Sequence, residues 1–82
     1  MMTRESPLAR AVRDVAEVED RINEQQLLIV RLRVRGVNAT RAAHLLDAMK
    51  GARQLAQQRL AREEAANRMS FWLQAGADWA LH

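Results

Sequence analysis

The sequence predicts an all-α protein, an antiparallel helical hairpin of the coiled-coil type that dimerises into a four-helix bundle. Two long segments of nearly equal length, both periodic in apolar residues, flank Gly36-Val37-Asn38. This order is typical of a helix, a tight turn and a second helix. The chain has 82 residues and no cysteine, so a lone hairpin buries little apolar surface and has no disulfide. We therefore expect oligomerisation to supply the missing core.

The first helix is predicted from about residue 7 to residue 35. Ser6 can cap the free N–H groups of its first turn, and Pro7 suits the first helical position. A heptad seam follows, which is typical of a helix that packs along a partner helix. Its two sets of positions are Leu8, Val15, Ile22 and Ile29, and Ala11, Val18, Gln25 and Leu32.

Gln25 is the polar member of this seam, and the sequence leaves two interpretations open. A buried polar seam residue can fix register and oligomeric state at a cost in stability. Alternatively, Gln25 lies partly exposed at the rim of the helix.

A second apolar row, here called the turn-end stripe, lies at the end of the first helix and consists of Leu27, Val30 and Val34. Residues 30–35 also alternate apolar and basic, as a strand would. No other segment alternates to pair with them, so we predict helix. Because one neighbouring helix covers only one face, we expect the turn-end stripe to be buried between two chains.

Gly36 suits the left-handed residue that ends a helix, with Val37 contacting Leu32. Asn38 or Thr40 then caps the second helix, which is predicted over residues 39–66 or beyond. One apolar, alanine-rich face is expected to pack on the first helix; it comprises Ala42, Leu45, Leu46, Met49, Ala52, Leu55, Ala56 and Leu60.

Residues 67–82 form an aromatic tail that holds every aromatic residue of the chain, namely Phe71, Trp72 and Trp79. We expect the tail to continue the second helix, with a kink or fraying, rather than to form a separate helix capped by Ser70. The whole chain, residues 1–82, is then a single domain.

Catalytic, cofactor and metal sites are not predicted, and we expect the protein not to be an enzyme. His44 and Asp47 are spaced for contact on a helix, but no Ser or Cys nucleophile lies nearby. The histidines also lack the clustered partners of a metal site. A surface or rim histidine explains His44 better.

Arg31, Arg33, Arg35 and Arg41 form an arginine cluster around the turn, yet the net charge is only +3. Aromatic residues that could stack on bases do not interleave with the cluster. We therefore do not expect nucleic acid as the partner, and keep a small basic nucleic-acid-associated protein as the alternative function. The chain shows neither a signal peptide nor an apolar run of membrane length, so we expect a cytoplasmic protein that does not bind membranes.

The stretch from Val15 to Met49 resembles a group of short bacterial helical-hairpin proteins with no established function. The matched positions are Val15-Ala16-Glu17, Glu19, Ile22, Gln25, Leu28-Ile29, Leu32, Gly36-Val37-Asn38, Ala42 and Leu45-Leu46. The resemblance implies a helical hairpin and transfers no activity.

We therefore expect a protein that acts through self-association as a homodimer, through binding of another protein, or through both. Two arrangements of the tail stay open. The tail of one copy covers the turn-end stripe of an antiparallel copy, or it protrudes and docks on another protein. The expected interface residues are Leu27, Val30, Val34, Phe71, Trp72 and Trp79.

Overall fold

The computed structural model describes the backbone of residues 5–80 and the side chains of residues 5–76. It consists of two α-helices in contact with each other, α1 over Pro7–Val34 and α2 over Thr40–Ala80. No strand occurs in the described backbone. The predicted all-α hairpin is confirmed, including helix at residues 30–34.

The start of α1 has the predicted capping residues. The hydroxyl oxygen of Ser6 accepts a hydrogen bond from the N–H of Ala9 at 3.0 Å, and Pro7 occupies the first helical position. Proline costs nothing there, because the first N–H groups of a helix have no intrahelical partner.

The turn is built by glycine in the left-handed conformation. Gly36 has φ 73°, its N–H donates to the carbonyl of Arg33 at 3.0 Å, and the N–H of Val37 donates to the carbonyl of Leu32 at 2.8 Å. This pair of bonds is the Schellman ending of a helix. The side-chain oxygen of Asn38 then accepts the N–H of Thr40 at 2.8 Å, so Asn38 is the capping residue of α2.

The contact between the helices is narrow. Ala11, Ile22 and Ile29 are the buried apolar residues in the described part of the chain, and no large side chain there is fully buried. On α2 the residues that face α1 are half-buried; the apolar ones are Ala42, Ala43, Leu46, Met49, Ala56 and Leu60.

The prediction that Leu45, Ala52 and Leu55 pack on α1 is wrong, because all three residues are exposed. At 3.6 residues per turn, the face of α2 that touches α1 repeats at intervals of three and four residues. The eight predicted positions span more than that face, so the three exposed residues lie beside it.

The two helices differ in length, 28 residues for α1 and 41 for α2. The start of α1 lies beside Ala66 and Asn67, and α2 continues without a break through Ser70. Residues 68–80 therefore extend past α1 by about 20 Å, at roughly 1.5 Å per residue. The Cα radius of gyration is 19.8 Å, against about 12 Å for a compact domain of this length.

Replacement of Gly36 by valine is expected to destabilise the hairpin by at least about 1 kcal/mol, because a β-branched residue is strongly disfavoured at positive φ. Thermal unfolding followed by circular dichroism measures the loss. Gly76→Ala is the matched control: a Cβ at either glycine meets no atom within 4 Å, and alanine suits a helix better than glycine. An unchanged melting temperature for Gly36→Val would contradict the assigned role of the turn.

Candidate functional site

The distinctive feature of the surface is its exposed apolar side chains. They outnumber the buried ones several-fold, and they are Val12, Leu27, Leu28, Val30, Val34, Val37, Leu45, Leu55, Met69, Phe71, Trp72 and Leu73. Scattered exposed leucines are ordinary, whereas clustered ones mark interaction sites. Three clusters occur here, one at the turn end of α1, one on the side of α2 and one in the tail.

The turn-end stripe faces away from α2. Its members Leu27, Val30 and Val34 are all exposed, Val34 at 81% of its surface. Ile22 and Ile29, on the opposite side of α1, are buried. The predicted second apolar face at the end of α1 is therefore present and uncovered in the single chain.

Within little more than one turn, the apolar residues of the tail cover an arc of about 200° around α2. Met69, Phe71, Trp72 and Leu73 are each more than half exposed, and their positions point to different sides of α2 because successive residues are rotated by about 100°. The rings of Phe71 and Trp72 meet edge to face at 6.0 Å. This arc is wider than the apolar stripe of about 100° with which a surface helix packs on its neighbours. The side chain of Trp79 lies outside the described residues.

The turn-end stripe and the tail cannot meet within one chain. Val30 lies beside Ala43 of α2, and Trp72 follows Ala43 by a helical path of about 43 Å. Any contact between the two surfaces must therefore join different copies of the chain.

Gln25 is buried, with 8% of its surface exposed. Its side-chain Nε2 donates to the backbone carbonyl of Ala42 at 3.0 Å, a bond between the two helices. The interpretation of Gln25 as a buried seam residue is therefore the right one of the two. In the described part of the chain, every buried side-chain nitrogen or oxygen atom has a hydrogen-bond partner.

The arginine cluster and His44 lie near the turn. Arg33 and His44 line a shallow depression with Ala39, Thr40 and Ala43. Arg31, Arg35 and Arg41 are exposed. His44 and Asp47 are exposed as well, and no hydrogen bond joins their side chains. No group of three metal-binding side chains occurs among residues 5–76. Neither helix, as far as it is described, is long and apolar enough to cross a membrane.

Comparison with known proteins gave no match to a protein-family model, to a curated protein or to a solved structure. The resemblance of residues 15–49 to short bacterial hairpin proteins gains no support from these comparisons. The fold and the exposed surfaces define the class of the molecule only as a helical hairpin.

Replacement of Gln25 by leucine is expected to leave the melting temperature unchanged or to raise it. The carbonyl of Ala42 keeps its partner within α2, so the change leaves no buried group unpaired. The cost is specificity, because an all-apolar seam allows alternative registers, which appear as extra peaks in an amide NMR spectrum. Gln26→Leu, at an exposed neighbouring position, is the control. A single set of peaks for Gln25→Leu would show that other residues fix the register.

Proposed function

We propose that this protein is a non-enzymatic interaction module that forms a homodimer and presents apolar surfaces to a protein partner. The observation that carries the proposal is the accessible surface of the single chain, 7164 Å² for 9.3 kDa. A compact monomer of that mass exposes about 5,000 Å². The chain therefore exposes about 2,200 Å² more than a monomeric protein of its size normally does.

This excess of exposed surface is larger than the area that a stable interface buries on one partner. A stable protein–protein interface buries about 800 Å² on each partner. The exposed apolar clusters supply surface of the right kind, because burial of apolar surface stabilises an interface by about 25 cal/mol per Å² before the costs of association. Chains of this size that lack disulfides and metals commonly obtain stability in this way.

The tail supports the second half of the proposal. Because its apolar side chains cover an arc of about 200°, wider than one helix contact, a single contact with a second copy leaves some of them exposed. Trp72 and Phe71 are rigid aromatic residues of the kind enriched at the centres of interfaces. The tail and the turn-end stripe are therefore the surfaces proposed to bind a protein partner.

The proposed self-association is tested by light scattering coupled to size-exclusion chromatography, with the full chain from low to high micromolar concentration. We expect a dimer at the upper end of this range. The melting temperature should also rise with protein concentration, because association stabilises only the folded state. A compact monomer at all concentrations would remove the basis of the proposal.

The role of the tail is tested with the double variant Phe71→Gln and Trp72→Gln in the full chain. We expect dimerisation to change little, because a protruding tail contributes little to the contact between copies. In the unsubstituted protein, tryptophan fluorescence should be quenched efficiently by acrylamide, as for indoles in water. A large loss of dimerisation would instead show that the tail covers the turn-end stripe of a second copy.

A further inference from the structure

We propose that the dimer forms through the side of α2 that carries Leu45, Ala48, Ala52 and Leu55, packed against the same row of a second, antiparallel copy. This row is called the α2 row below. The proposal rests on the proposed self-association and specifies its face and register.

The α2 row is exposed and continuous. Leu45 and Leu55 are exposed over 51% and 65% of their surface, and Ala48 and Ala52 are exposed as well. Their spacings of three, four and three residues place all four on one side of α2, about 100° around the axis from the residues that face α1. Two contact faces separated by roughly a right angle are what a helix in a four-helix bundle requires.

The α2 row is complementary to itself. Read in either direction, it has the same spacing and the same order of a leucine, two alanines and a leucine. In an antiparallel pair, Leu45 faces Leu55 of the second copy, and Ala48 faces Ala52. Each contact occurs twice, as a two-fold interface demands. Ala48, Gly51 and Ala52 lie near the axis, where small residues let the two helices approach closely.

The register of α2 also determines which α1 residues meet. Asp14 of α1 lies 3.8 Å from Arg59 of α2, and this contact gives the approximate alignment of the two helices along their length. When the α2 rows pair as described, Arg21 of α1 faces Glu24 of the second copy.

These α1 residues lie on the same face of the hairpin as the α2 row. Arg21 and Glu24 are rotated by about 75° and 135° from the buried side of α1, in the same sense as the α2 row is rotated on α2. Because the helices are antiparallel, rotation in the same sense brings both rows to one face. Opposite charges then meet between Arg21 and Glu24, a contact that is present twice and favours this register.

Like charges meet at the ends of the contact, where Arg10 faces Arg35 of the second copy and Arg41 faces Arg59, which has Asp14 as a partner in its own chain. Salt screens exposed charges of both signs at physiological ionic strength, so the apolar α2 row contributes most of the proposed contact. The turn-end stripe and the tail lie outside this interface and stay available to another protein.

Disulfide trapping tests the face and the register. The chain contains no cysteine of its own. Two full-length variants, Ala48→Cys and Ala52→Cys, are mixed and oxidised gently. We expect a crosslinked heterodimer, because the two positions face each other across the axis within disulfide reach. The matched control mixes Ala48→Cys with Gln54→Cys, whose exposed side chain points away from the α2 row, and should give little crosslink.

Charge reversal provides a second test, in which the residues of the α2 row are left unchanged. Arg21→Glu and Glu24→Arg should each weaken the dimer by about 2- to 30-fold, since each removes two exposed pairs. The double variant should return the dissociation constant close to that of the unsubstituted protein, as measured by analytical ultracentrifugation at low salt.

The outcomes separate this proposal from the proposed function. A dimer that crosslinks equally in the Gln54 control, or that is not rescued in the double charge variant, would overturn the face and register and leave self-association intact. A chain that stays monomeric at high micromolar concentration would refute both.

Discussion

The constraint on which this molecule depends is that two packed helices cover only one face of each other. In the described part of the chain the buried apolar residues are few, namely Ala11, Ile22 and Ile29, and the other apolar residues are half-buried or exposed. Hydrophobic burial is the main favourable contribution to folding and has to exceed the entropy lost on ordering the chain. A hairpin with so thin a core reaches that balance most readily when a further surface covers its exposed faces.

Local signals in the sequence were sufficient to predict the ends of α1 and the turn. Ser6, Pro7, Gly36 and Asn38 act through hydrogen bonds and backbone preferences within a few residues of each other, so their roles can be read without tertiary information. The continuation of α2 into the tail was also expected, because no local signal stops the helix at the level where α1 begins. The burial of Gln25 could not be predicted in this way, since it depends on Ala42 of the other helix lying opposite it.

The sequence predicted one exposed apolar surface, the turn-end stripe, and missed another, the α2 row. The turn-end stripe stands out because α1 has two apolar rows, and only one can face α2. Leu45 and Leu55 were assigned to the contact with α1, since a list of apolar positions does not separate two adjacent faces of one helix. Their angle around α2, about 100° from the residues that face α1, was the signal that could have distinguished them.

The unequal lengths of α1 and α2 have a consequence for the proposed dimer. In an antiparallel pair, the overhanging end of each long helix points away from the centre, so the particle is a rod with two identical aromatic tips. With the axis near residue 50, the two Trp72 side chains stand about 65 Å apart. Such a rod is bivalent: it can bridge two molecules of one partner, or bind two sites on an array far more tightly than one tip binds alone.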